Sequence, residues 1–249
     1  MEQQTVLIGW DVGGWNCERN RLSRDALVIL DQDLHVMGAP WRGNLRALIN
    51  QSLCTSDFIQ GVLDHCQVEP VLSEGTEIVL AIDTPLGFSC EFLRLLTDAR
   101  AVAQVHASAS NPYLYRFTER FLFERGLSPL SAVKDMIGSQ ATKGMHVLAR
   151  FVPQRQRCGV WSDGEHVRAI EAYPSAANRS VVVDELRRRC LQQSQADITG
   201  WHDDERDALT AALLAWLFSF KPELLAEAPA QAPLEEGWIF VPKDALSGS

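Results

Sequence analysis

The sequence predicts an α/β protein: a mixed β-sheet flanked by helices, with a helical insertion in the middle of the chain. Three observations predict it. Short apolar runs at 5–10, 26–31, 34–38, 77–82, 158–162 and 166–172 have the length and composition of strands. Longer stretches with apolar residues near a period of 3.6 intervene or follow, at 44–66, within 90–150 and at 203–219. No internal repeat and no strong linker interrupts residues 1–220, so the 249 residues are read as a single domain.

Each element has its own justification. Residues 5–10 are rich in apolar and β-forming types, as a buried central strand requires. Residues 26–31 and 34–38, joined by Asp31-Gln32-Asp33, extend this into an opening three-strand meander. From about Asn44 to Cys66, Leu45, Leu48, Ile49, Leu53, Ile59, Val62 and Leu63 fit a helix, with a break and a new N-cap near Thr55-Ser56-Asp57. Glu77 to Ile82 is the next strand, ended by Pro85. Residues 90–150 read as mainly helical and irregular, punctuated by Gly126 and Pro129. A hairpin is expected over 158–162 and 166–172 around Asp163-Gly164, a favoured two-residue turn. The clearest helix is 203–219, where Leu209, Ala212, Leu213, Trp216 and Leu217 share a face. A Pro/Ala-rich link, Pro229 to Pro233, leads into a tail (229–249) in which Gly237 to Pro242 read as a short edge strand.

Composition narrows the classes. No apolar run is long enough to span a bilayer, and the polar start Met1-Glu2-Gln3-Gln4 does not resemble a secretory signal. Six scattered cysteines without a CxxC pair point to a reduced, cytoplasmic setting. The net charge of −9 is unfavourable for a protein that binds phosphates through Lys and Arg. Basic residues do cluster at Arg116, Arg120 and Arg125, and again at Arg187-Arg188-Arg189, a run read as a solvated helix face. Serine, cysteine and zinc chemistry lack their patterns: neither GxSxG nor HExxH occurs.

Acidic residues carry the functional signal. Asp11 in Trp10-Asp11-Val12-Gly13-Gly14, Asp83 in Ile82-Asp83-Thr84-Pro85 and Glu171 in Ile170-Glu171-Ala172 sit at strand ends or within a strand. Asp203, Asp204 and Asp207 share a surface of the last long helix, where Ala208, Ala211 and Ala212 imply tight packing on a sheet edge. Carboxylates brought together repel and raise each other's pKa, and a hard divalent cation relieves that cost. Taken singly, each has a plainer reading: turn former for Asp11 and Asp83, exposed strand position for Glu171, helix start for Asp203 with His202 or Asp203 as the cap. Gly13-Gly14 could also let a ligand approach the backbone closely, though no Walker A loop is present.

The order of these signals resembles the ribonuclease H-like superfamily, and the whole span 11–208 resembles the DUF429 family of predicted nucleases. The matching stretches are Asp11-Val12-Gly13-Gly14-Trp15-Asn16, Ala81 to Phe88, Asn111 to Arg116, Glu171-Ala172-Tyr173-Pro174 and Asp204-Glu205-Arg206-Asp207-Ala208. The resemblance implies a ribonuclease H-like sheet and hydrolysis of phosphodiester bonds with two Mg²⁺ or Mn²⁺ ions about 3.5–4 Å apart. It places Asp11 between both ions and Asp83 and Asp207 on one each, with Asp204 or Glu171 completing a shell or orienting the water. Lys143 and Arg116 become candidates for phosphate contacts, and Tyr113 or Tyr115 for stacking on a base or sugar. A salt bridge for the two cations and core or loop packing for the tyrosines stay open as alternatives. The substrate would be a nucleic acid or a nucleotide, and a homodimer is compatible with resolvase-like cutting of two strands.

Two other readings compete. Asp11-Val12-Gly13-Gly14 is also similar to the first phosphate loop of actin/sugar-kinase-like ATPases and phosphotransferases, although no second such loop is found. Alternatively the chain is a non-catalytic binding protein that uses an acidic pocket or its Trp238-bearing tail.

Overall fold

The structure is a computed structural model that describes residues 4–69, 75–194 and 197–247; Met1 to Gln3 of the polar start lie outside the described residues. Strand β1 (Thr5–Asp11) lies between β2 (Asp25–Asp31), which is antiparallel to it, and β4 (Glu77–Asp83), which is parallel. Beyond β2 lies β3 (Trp41–Gly43), and beyond β4 lies β7 (Val167–Ala172), again parallel. The antiparallel strands β6 (Val160–Ser162) and β5 (Gln154–Arg157) complete the order β3-β2-β1-β4-β7-β6-β5. Where β6 stops, β8 (Ile239–Phe240) pairs in parallel with Glu171 and Ala172 of β7.

Side-chain alternation along β1 divides the core in two. Val6, Ile8 and Trp10 join one cluster, with α1 (Arg46–Gln51), α2 (Thr55–His65) and α5 (Gly138–Phe151). Leu7 joins the other, beneath α6 (Pro174–Ala177), α7 (Val181–Ser194) and α8 (Asp203–Phe220). Gly9 shares that second face, and a Cβ there would stand 1.9 Å from the Ala208 carbonyl oxygen and 2.4 Å from the Ala212 nitrogen. Helix α8 therefore lies backbone-close on β1, in the centre of the sheet and not at its edge as expected. The small residues Ala208, Ala211, Ala212 and Ala215 are all fully buried, which is what permits that approach.

Several expectations are corrected. Residues 34–38 do not form a strand; only Val36 bridges to Leu30, and the third strand of the meander is β3. The Asp31 carboxylate accepts from the N–H groups of Asp33 (2.9 Å) and His35 (2.8 Å), and Leu34 takes φ +70°, so this segment turns back instead of extending. The hairpin after β6 is wider than two residues, because Asp163 Oδ1 accepts from Glu165, His166 and Val167 N–H groups. The stretch 90–150 is mainly helical and irregular, as its composition predicts. It holds α3 (Cys90–Asp98), α4 (Phe117–Phe123) and α5, and α5 packs Val147, Leu148 and Phe151 into the core under β1. The Trp238 tail is not a free arm: the indole is fully buried and donates to the Ala226 carbonyl oxygen at 2.9 Å. Among the described residues no helix is long and apolar enough to cross a membrane.

Candidate functional site

Asp11 and Asp83 are direct neighbours across the parallel pair β1/β4, each the last residue of its strand. Parity decides where they point. Asp11 alternates in phase with Leu7 and Gly9, and Asp83 with Val79 and Ala81, so both face α8. On that helix Asp207 lies beside Ala208, whose carbonyl meets Gly9. Asp207 is thereby placed on the same side of the sheet as Asp11 and Asp83, near enough to act on the charge of both, though it lines a separate cleft.

Their titration reports the crowding. Burial, then the charges of Asp83, Asp204 and Asp207, hold the Asp11 carboxyl well above the ordinary range. Burial, then Asp207 and Glu171, do the same to Asp83. Asp207 is raised to about 6 by burial and by Asp203 and Asp204, with Arg187 pulling the other way. Among the described residues, no protein donor hydrogen-bonds the carboxylate of Asp11, Asp83 or Asp207. Arg187 acts on Asp207 from a distance, and among the described residues none of the three is hydrogen-bonded to a cation.

Glu171 and Asp204 differ. Glu171 alternates out of phase with Ile170 and Ala172, so it faces the opposite side of the sheet from Asp11 and Asp83. There it accepts Arg116 Nη1 at 2.8 Å, Arg116 Nη2 at 2.6 Å and the Leu86 N–H at 2.9 Å. Asp204 accepts the Arg24 N–H at 2.9 Å and Arg42 Nε at 2.7 Å, tying the start of α8 to β3 and to the loop before β2. His202 is the helix cap, its Nδ1 accepting from the Asp204 N–H at 3.2 Å. Both acids already have partners.

The four residues expected at the substrate are placed as follows. Arg116 is buried and fully engaged with Glu119, Glu171 and the Glu236 carbonyl oxygen. Lys143 has no exposed surface; its ammonium meets Asp25 and donates to Asn44 Oδ1 (3.0 Å) and to the carbonyls of Gly13 (3.3 Å) and Gly14 (3.4 Å). As placed, neither cation is free for a phosphate. Tyr115 is buried edge-on against Phe123, and the Tyr113 hydroxyl accepts from the Val102 N–H at 2.8 Å. Both tyrosines organise the loop region.

A cavity of about 420 Å³ opens beside the acids, lined by Asp11, Asp83, Thr84, Gln140, Glu171 and Tyr173 among others. The Thr84 hydroxyl in its wall is buried without a hydrogen-bond partner among the described residues. Burial and the nearby Asp83 charge push the Tyr173 phenol up, and its hydroxyl donates to the Ser128 carbonyl oxygen at 2.8 Å. As the side chains stand, no three His, Cys, Asp or Glu among the described residues are gathered closely enough to enclose a metal ion.

No family model, curated protein or solved structure matches this chain.

Sequence reasoning missed Asp25. It is fully buried at the start of β2 and accepts from the Gly13 N–H (2.8 Å), Trp10 Nε1 (3.2 Å), the Leu45 N–H (2.7 Å) and Lys143. Burial raises its pKa, while Lys143 and these donors oppose the shift. The Lys143–Asp25 pair thus clamps the glycine loop that follows Asp11, and it takes the Gly13 N–H that a phosphate-binding loop would offer. Its signal was present in the sequence: an acidic residue opening an otherwise apolar strand requires a buried partner.

Proposed function

We propose that this chain is a metal-dependent hydrolase of phosphodiester bonds, a nuclease of the ribonuclease H-like kind and a relative of the DUF429 family. One observation carries the reading: Asp11 and Asp83 line one cavity, Asp207 stands close enough on α8 to raise the pKa of both, and among the described residues no protein cation hydrogen-bonds any of the three carboxylates. A carboxylate cluster of this sort is costly to maintain for structure alone, since any one of the acids replaced by an amide would reduce repulsion. The positions also follow the resemblance, with one acid on the first strand, one on the fourth and one on the last helix.

The donor set fits the cation. All-oxygen carboxylate ligands without His or Cys suit Mg²⁺ or Mn²⁺. Asp11, Asp83 and Asp207 would hold it after rotation of their side chains toward one another, a movement their mutual repulsion opposes. When bound, such ions activate a water and stabilise the leaving oxygen of a phosphodiester. Asp204 and Glu171 act behind the site: Asp204 fixes the start of α8, and Glu171 with Arg116 fixes the far wall of the cavity.

The test incubates purified protein with labelled single-stranded, duplex and branched DNA and RNA in Mn²⁺, Mg²⁺ or chelator. Asp83→Asn and Asp207→Asn are run beside it. Metal-dependent cleavage lost in both folded variants supports the reading. Cleavage that survives either substitution, or none with any substrate and metal, removes it.

A further inference from the structure

Asp207 borders a second cleft of about 440 Å³, away from the cavity of Asp11 and Asp83, and Ser175 lines both. The two hollows thus share a wall at Ser175, with Asp11 and Asp83 on one side of it and Asp207 on the other. Among the described residues, the first has no Lys or Arg in its lining; the second has Arg187 and Arg206, together with Asn178 and Asp203. We propose that this second cleft binds the phosphates of a nucleic-acid strand, with Arg187 and Arg206 as the contacts, so that the strand passes over the acids from one hollow to the other. The inference rests on the nuclease reading for its substrate class, but its test reads binding and not cleavage.

The state of the two guanidinium groups distinguishes them from the other cations near the site. Arg116 and Lys143 are buried and satisfied. Arg187 comes from α7 and places Nη1 on Asp184 at 2.6 Å and Nη2 on Asn178 (2.6 Å) and Thr210 (3.1 Å). Its Nε has no hydrogen-bond partner among the described residues, and 22% of the side chain remains exposed. Arg206 on α8 is held loosely, to the Ile198 and Thr199 carbonyl oxygens at 3.3 Å each and to Asp203 at 3.6 Å. Contacts of that length are near the limit of useful hydrogen bonds, so a phosphate can replace them at little cost. Fork-shaped guanidinium groups suit phosphate oxygens in pairs.

Electrostatics tie the cleft to the acids. Asp207 itself stands in the wall of the cleft with Arg187 and Arg206, so a phosphate held by the arginines lies beside the carboxylate that would face the scissile bond. In a protein of net charge −9, a polyanion is repelled by the surface as a whole. A strand can then dock only where arginines are locally concentrated and incompletely paired, and the cleft beside Asp207 meets that condition.

Fluorescence polarisation of a labelled single-stranded oligonucleotide is measured against wild type, Arg187→Gln, Arg206→Gln and the double variant, in chelator, across a salt series. Arg188→Gln serves as the control, because Arg188 lies on the same helix, pairs with Glu185 and does not line the cleft. Each cleft variant should weaken binding on the order of tenfold and lower the salt slope by about 1, uniformly across sequences. Arg188→Gln should not. If Arg187→Gln unfolds, Arg206→Gln alone decides, since its contacts are peripheral. Unchanged affinity and slope in the cleft variants, equal loss in the control, or no binding by wild type at any salt overturns the proposal. Cleavage in Mn²⁺ is followed in parallel. Arginine-dependent binding without cutting would leave this inference standing and remove the nuclease reading, whereas acid-dependent cutting by arginine variants that bind like wild type would do the reverse.

Discussion

Replacing Asp207 by Asn should stabilise the protein, and the gain should depend on pH and metal. The carboxyl is raised from its ordinary 3.8 to about 6. At 1.36 kcal/mol per pKa unit this is up to about 3 kcal/mol of cost on the ionised form. Asp207 is partly open to solvent, so about 1–2 kcal/mol is the realistic figure. A raised pKa means the folded protein holds the proton more tightly than the unfolded chain. The cost is therefore absent well below pH 3.8, grows between 3.8 and about 6, and is complete above that. The amide avoids it. For a protein of this size, Tm in chelator at pH 7.5 should rise by about 3–6 °C, and the gap should shrink to about a third by pH 4.5. Saturating Mn²⁺ should raise the Tm of wild type more than that of the variant, since a bound cation partners the carboxylates of the folded state. Thermal melts over pH 4.5–8, with chelator and with Mn²⁺, measure all of this. A variant that melts below wild type at pH 7.5 in chelator, or a gain that does not change with pH, refutes the reasoning.

Three further outcomes are expected. Lys143→Met strands the Asp25 carboxylate in the interior, and urea unfolding should show a loss of about 3–5 kcal/mol, against little change if the pair were dispensable. Gly9→Ala drives a methyl into the Ala208 carbonyl; circular dichroism melts should show a large loss, and the Mn²⁺ effect should go with it because α8 carries Asp207, while Gly200→Ala, with nothing within 4 Å, should be nearly neutral. Thiol labelling of the native protein should begin at exposed Cys54, whereas Cys66, buried with its thiol pushed up to about 12, should react only on unfolding.

Much of the sheet was readable because its strands are short apolar runs with clear breaks, and α8 because its apolar residues repeat at the helical period. The misreadings share a cause. Residues 34–38 look like a strand until the Asp31 carboxylate collects the N–H groups of Asp33 and His35, which composition does not reveal. β5, Gln-Arg-Gln-Arg, has no apolar signal at all, because it is an exposed outer strand that, among the described residues, pairs only with β6.

The acids divide along the same line. That Asp11, Asp83, Glu171, Asp204 and Asp207 belong at strand ends and on the last helix was determined by the sequence, since strand and helix periods are local properties. So was the parity that sets Asp11 in phase with Gly9. Which acids find a cation partner and which do not was decided by tertiary structure alone. Arg116 reaches Glu171, Arg42 reaches Asp204, and Lys143 abandons the surface for Asp25, each across a long stretch of chain. The energy of an ion pair depends on distance and burial, and neither is written in the order of residues.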